Sequence, residues 1–409
     1  MRFNTKLLHG KGIRKYPDGA TIPPISQVTA FQYDTVEEQE LVFAHKASGF
    51  AYSRIGNPTV AALEQRMNDI EGGNAAVAAS SGMAAVTLTM LNLLCAGDEI
   101  IAGSNLYGGT IDLLEDLEKF DIRTRYVRHL TVEEIREQIT DKTRVIFGEV
   151  IGNPGLSVMD IPAVSELAHS HGIPLVVDST TATPYLINPL ELGADIVIHS
   201  TSKYINGSGN SIGGVIIDGA RFQWDFERQR SLNGYRTFGK LAFMVRLRTD
   251  IWENAGGCLS PNNAFLTLVG LETLGLRMER ICDNAQKLAE ALAGIGVDVH
   301  YPTLPESPYR DLAMKYLKGM GGGILTFRAG TKERAFRILN ELQYVTRASN
   351  LGDVRTLAIH PASTLYVRRT QEQKEAAGVY EDTIRVSVGI EDAADLIEDF
   401  LLAFHNSEL

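Results

Sequence analysis

A chain of 409 residues is longer than one hydrophobic core usually supports, so two domains are expected. Its 44% hydrophobic and 22% charged content is that of an ordinary globular protein and excludes a disordered or low-complexity chain. A net charge of −11 without a dense Lys/Arg cluster leaves nothing to offset phosphate repulsion, which argues against nucleic acid as a partner.

The first twenty residues lack the apolar stretch and small-residue cleavage site of an export signal. Cys95, Cys258 and Cys282 are few and far apart, with no CxxC pair and no HExxH, which points to a reducing cytoplasm and no metal. Residues 1–60, with Pro23, Pro24, Pro58 and many polar groups, read as an N-terminal arm rather than a compact domain. The uncharged run from Gly72 to Gly97 is long enough for a membrane span, but Ser80-Ser81-Gly82 interrupts it and Asn74, Thr87, Thr89 and Asn92 dilute it. A strand, a turn and a buried helix are expected there, and no membrane partner. Onward to Asp218 the β-branched runs AAVAA, EIIAG, RVIFGEV, PLVVDST, DIVIHST and SIGGVIID alternate with helical stretches, the rhythm of an α/β domain on a mostly parallel sheet. His169 and His171 sit late on one such helix, where surface histidines are common, and no third ligand at fixed spacing accompanies them. After Cys258 a long amphipathic helix opens a second, smaller α/β domain, whose strands are expected in GGGILTFRAG, TLAIHP and TIRVSVGI and whose last element is DAADLIEDFLLAF. The boundaries are therefore 1–60, 61–257 and 258–409.

In a parallel sheet, functional groups gather at the carboxyl ends of the strands. Ser81 and Gly82 follow AAVAA, Asp178 closes PLVVD, and Lys203 lies just past DIVIHST. A lysine alone is usually a solvated surface charge, but this one sits in HSTSKYINGSGNSIGG, a loop of hydroxyls and glycines. Asp178 alone caps a turn as readily as it serves a ligand. Together they offer what pyridoxal phosphate (PLP) needs: an amine for an imine, a carboxylate to hold a proton on the ring nitrogen, and a helix start at Ser81-Gly82-Met83 whose free N–H groups favour a phosphate. Ser200 and Ser202 add hydroxyls that either join that phosphate or pair locally with backbone. Tyr107, in SNLYGGT, offers an aromatic face and a phenol.

The chain closely resembles the Cys/Met-metabolism PLP enzymes of fold type I, above all the O-acetylhomoserine sulfhydrylases, through YSRIGNPT (52–59), SSGMAA (80–85), NLYGGT (105–110), GNP (152–154), VVDST (176–180), HSTSKY (199–204) and RVSVGIED (385–392). The resemblance implies that Lys203 forms the imine, Asp178 faces the pyridine nitrogen and Tyr107 stacks on the ring and moves protons. It implies that Gly82, Met83, Ser200 and Ser202 hold the phosphate beside Ser81 at the helix start, with Tyr52 and Arg54 reaching it from a neighbouring subunit of a homotetramer built from dimers. Arg385, with Asn153 and Ser349 beside it, would bind the α-carboxylate of an amino-acid substrate, the other reactant being sulfide or a thiol. The implied reaction is γ-replacement on an O-acyl-L-homoserine; γ-elimination and cystathionine synthesis are the alternatives on the same scaffold. Gly109 stands where methionine γ-lyases typically carry cysteine. The chain departs from the family at Asn206-Gly207-Ser208 (usually Gly-Gly-His), at Ser179 (commonly asparagine), at Ser202 (commonly threonine), and at Leu365-Tyr366-Val367-Arg368-Arg369, where Thr-His-Gln-Gln commonly follows HPAST.

Overall fold

The computed structural model describes residues 1–12, 15–44 and 46–407. Seven strands form the large sheet: β1 (Ala75–Ala79), β2 (Glu99–Gly103), β3 (Arg123–Val127), β4 (Thr143–Glu149), β5 (Leu175–Asp178), β6 (Ile196–Ser200) and β7 (Gly214–Asp218). Their spatial order is β1-β7-β6-β5-β4-β2-β3, and β7 alone runs against the rest, pairing antiparallel with β1 and β6. Helices cover both faces, which is why the central residues of the inner strands are apolar on both sides. Val145 and Phe147 of β4 join Ile196 and Ile198 of β6 in one core layer, while Ile146, Val177 and Val197 point into the other. The run from Gly72 to Gly97 divides into β1, a turn, and the helix Gly82–Leu93. Among the described residues no helix is long and apolar enough to cross a membrane.

The smaller sheet contains β8 (Val299–His300), β9 (Ile324–Arg328), β10 (Thr346–Arg347), β11 (Leu357–Ile359) and β12 (Thr383–Ser387), ordered β10-β11-β12-β9-β8. Central β12 is antiparallel to both neighbours and aligns Arg385 with Ile359 and Thr326. The two sheets share one support. Along the helix Leu274–Gly294, Leu274, Met278 and Ile281 belong to a core layer of the large sheet, whereas Ala285, Leu288 and Leu292 belong to the core of the small one.

Near the N-terminus the helix Phe3–His9 buries Leu7 in the large-sheet core, but the helix Val36–Phe43 buries none of its residues. The helix Pro58–Glu71 starts where Asn57 accepts from the Thr59 N–H and Pro58 occupies the first turn, which requires no N–H of it.

Candidate active site

At the carboxyl ends of β1, β4, β5 and β6 the loops enclose a cavity of about 440 Å³. Ser81 caps the helix Gly82–Leu93, its side chain accepting from Ala84 N at 3.0 Å. Glycine is required next. A Cβ on Gly82 would lie 2.6 Å from the Ser200 Cβ and 2.8 Å from its Oγ, and one on Gly214 would lie 2.2 Å from the Ser81 carbonyl oxygen. The helix start is thus pressed against the end of β6, and Ser81, Gly82, Met83, Ser200 and Ser202 all line the cavity. Ser202 also uses its hydroxyl locally, accepting from Gly213 N at 3.0 Å and donating to Gly213 O at 3.2 Å.

Lys203 Nζ donates to Asn350 Oδ1 at 2.5 Å. Burial, aided by the charge of Arg385, lowers its ammonium to about 8. Asp178 accepts from Thr180 N at 2.8 Å, so it caps a turn and faces the cavity at once. Burial raises its pKa despite the bonds to Thr180 and the nearby His199. The residue that aligns with it across β4 and β5 is Glu149, which sequence reasoning missed. Glu149 also lines the cavity, accepting from Tyr107 N at 2.7 Å and Asn153 N at 3.1 Å. Burial and the adjacent Asp178 charge push it up to about 8, so one of two neighbouring carboxyls holds a proton at neutral pH. Its signal was a carboxylate closing the apolar run RVIFGEV just before Gly152-Asn153-Pro154.

Arg385 is 3% exposed, yet among the described residues no carboxylate pairs with it. Its Nη1 donates to Asn153 Oδ1 at 3.1 Å and its Nη2 to Asn350 O at 2.8 Å, while Nε has no partner. Burial lowers its pKa to about 10. A buried guanidinium with an unused donor at a cavity wall is suited to an incoming carboxylate. Ser349 and Asn153 line the same wall, as do Tyr107 and Asn350, the last also missed from sequence.

Tyr52 and Arg54 lie apart from the cavity of their own chain. Both are exposed, and Arg54 rests 5.6 Å from the Tyr52 ring centre while donating to Glu253 O at 2.9 Å. The unusual Asn206 is a structural residue: it donates to Asn210 Oδ1 at 2.9 Å and accepts from Ser208 N at 3.1 Å, closing the turn at Gly207, whose φ is +73°. Arg277 secures the same loop by donating to the carbonyls of Tyr204 and Ile205 at 2.5 and 3.1 Å. Ser208 is exposed and Ser179 is buried with its hydroxyl unpaired; nothing in the structure explains either departure.

The expected cofactor fits this donor set. An amine with a lowered pKa, a buried carboxylate, and a helix start with no space for a Cβ together match the aldehyde, ring nitrogen and phosphate of PLP. Residues 4–405 match the family described as Cys/Met metabolism PLP-dependent enzyme. The chain is 40% identical to the O-acetyl-L-homoserine sulfhydrylase 1 of Thermus thermophilus, over 97% of this chain and 98% of that protein. It is 38% identical to the L-methionine gamma-lyase of Pseudomonas putida, over 97% of this chain and 96% of that protein. A crystal structure from Campylobacter jejuni, described as an O-acetylhomoserine (thiol)-lyase with N′-pyridoxyl-lysine-5′-monophosphate, superposes with a TM-score of 0.95 at 33% identity, covering 99% of this chain and all of that one. The chain therefore belongs to the Cys/Met-metabolism PLP-dependent enzymes, with the α/β fold of type I and pyridoxal 5′-phosphate as its cofactor.

Proposed function

We propose that this enzyme performs γ-replacement on an O-acyl-L-homoserine, with the acetyl ester as substrate and sulfide or a thiol as the second reactant, giving homocysteine or methionine. The observation that carries this reading is the cavity wall on which Lys203 and Arg385 meet at Asn350, one through its side-chain oxygen and the other through its carbonyl. An α-carboxylate on Arg385 brings the Cα proton toward Lys203. Bound PLP supplies the electron sink that makes that proton acidic. Lys203, lowered to about 8 by its surroundings, is suited to take the proton at neutral pH. Asp178 holds the proton on the ring nitrogen, and Glu149, kept neutral beside it, orients the Tyr107 backbone through its N–H. Tyr107 would cover the ring and, with Lys203, manage the protons at Cβ and at the leaving group. Ser81, Gly82, Met83, Ser200 and Ser202 bind the phosphate, and Asn153 and Ser349 flank the carboxylate site.

Tyr52 and Arg54 are assigned to the phosphate of a neighbouring subunit, which makes the dimer the smallest complete unit and a homotetramer of two dimers the proposed assembly. In support, Ile25, Val28, Val36, Phe43 and Tyr52, all exposed, crowd the same N-terminal segment. The cytoplasm is the proposed compartment, in keeping with three free cysteines.

Gly109 supports replacement over elimination. A side chain there would begin 2.6 Å from the Tyr107 ring, so the cysteine typical of methionine γ-lyases would displace that ring. The test is to incubate the holoenzyme with O-acetyl- or O-succinyl-L-homoserine and sulfide, methanethiol or cysteine, and to identify products by mass. Homocysteine or methionine from the acetyl ester is expected; 2-oxobutanoate as the main product in the presence of sulfide would overturn the reading in favour of elimination.

A further inference from the structure

The segment 365–369 is a strap fastened across the helix that begins beside Tyr107. Tyr366 is 1% exposed, packs with Ala362, Ala377 and Val379, and donates its hydroxyl to Leu106 O at 3.0 Å. Arg369 pairs with both Asp112 and Glu115 on the helix Gly108–Leu117. Immediately before these anchors, Leu365 lines the cavity, and its carbonyl oxygen lies 3.4 Å from where a Cβ on Gly108 would stand. That close approach puts an apolar residue at the wall shared with Tyr107.

The charges around the cavity sharpen this. Its lining contains two cations, Lys203 and Arg385, and two carboxylates, Glu149 and Asp178. Under the γ-replacement reading both cations are committed, one to the cofactor and one to the α-carboxylate. Among the described residues of this chain, a sulfur donor bearing its own carboxylate would meet no further cation at the cavity, and the Arg54 of a neighbouring subunit is assigned to the phosphate.

We propose that Leu365, held by the strap, determines the choice of sulfur donor and selects a small alkanethiol over an amino-acid thiol. The inference rests on the γ-replacement reading. Acetate leaves as the Cγ–O bond breaks and a Cβ proton is lost; the thiol then adds, its sulfur forming the Cγ–S bond and its proton replacing the one lost at Cβ, with no net change in oxidation level.

The test measures kcat/KM on O-acetyl-L-homoserine with sulfide, methanethiol, ethanethiol and cysteine, for the holoenzyme and for Leu365→Thr and Leu365→Met. The visible band of the bound cofactor serves as a check on folding. In Leu365→Thr the rate with each alkanethiol, relative to sulfide, should fall about four-fold per carbon of the thiol, the value of one CH₂ against an apolar wall. Leu365→Met should keep the wild-type ratios, and cysteine should be the poorest donor to the wild-type enzyme. Unchanged ratios in Leu365→Thr, or cysteine outperforming the alkanethiols, would overturn the proposal. Failure of the underlying reading looks different: no sulfur-containing product with any donor, whatever residue stands at 365.

Discussion

Consider Lys203 in the enzyme stripped of its cofactor. Burial, with the charge of Arg385 behind it, lowers the ammonium from 10.5 to about 8. At pH 7 the neutral fraction then rises from roughly one in 3,000 to roughly one in ten, a gain of about 300-fold. Only the neutral amine attacks an aldehyde. When PLP is added to the apoenzyme, the visible band should therefore appear at a rate that climbs about ten-fold per pH unit and levels off near pH 8. Stopped-flow absorbance between pH 6 and 10.5 reads this directly, and Arg385→Ala should move the bend upward by removing the second cause. The same shift affects stability with a definite sign. Between about pH 8 and 10.5 the folded chain binds fewer protons here than the unfolded one, so the buried ammonium destabilises below pH 8 and the penalty is relieved as pH rises through that interval. A rate that keeps climbing past pH 10 would mean a fully solvated amine and would refute the reasoning.

Gly82→Ala places a methyl 2.6 Å from Ser200, an overpacking worth about 1–3 kcal/mol, and should weaken cofactor binding about 5- to 150-fold by equilibrium titration. Glu149→Gln replaces two accepting oxygens, one for each of two backbone N–H groups, by a single one, and should destabilise the apoenzyme by about 1–3 kcal/mol at pH 6 in urea unfolding. A carboxyl raised to about 8 loses stability as pH climbs from the ordinary carboxylate range through 8, whereas glutamine does not; the gap should close by pH 9, and a constant gap would count against a protonated Glu149. Arg385→Lys keeps a charge but loses the forked donors, so KM for the amino-acid substrate should rise about 10- to 100-fold while the cofactor band persists.

Burial on both faces made the large sheet legible. AAVAA, RVIFGEV, PLVV and DIVIHS carry unbroken apolar centres because helices cover both sides, and each forms a strand where its run predicts one. β3 was missed because it lies at the sheet edge, where Arg123 and Tyr126 are exposed and no apolar run forms. β8 and β10 are two-residue edge strands, too short to carry a period. Within the site, the groups visible in sequence were those that close a strand or open a helix, namely Asp178, Ser81-Gly82 and Lys203. Glu149 closes a strand too and was legible on the same rule. Asn350 and Arg277 were not, because their roles arise only when a distant segment folds against the Lys203 loop, at separations of 147 and 73 residues. Tyr52 and Arg54 carry no local signal at all, since neither reaches the cavity of its own chain.

That dependence on distant segments identifies what sets the geometry of the reaction. Lys203 stands on a loop of the large sheet and Arg385 on the central strand of the small one, so the distance from the base to the carboxylate anchor is a distance between two sheets. Two devices fix it. Asn350 binds the amine with its side chain and the guanidinium with its carbonyl, joining both groups through one residue. The helix Leu274–Gly294 is packed into both cores, and its Arg277 holds the carbonyls that follow Lys203. A misplacement of about 1 Å can cost on the order of 100-fold in rate. A helix shared between cores resists such a slip because the sheets can move apart only by withdrawing Met278 and Ile281 from one core or Leu288 and Leu292 from the other. Buried side chains of that size hold about 1.5–3 kcal/mol each, so the alignment of Lys203 with Arg385 is secured by apolar packing far from either charge.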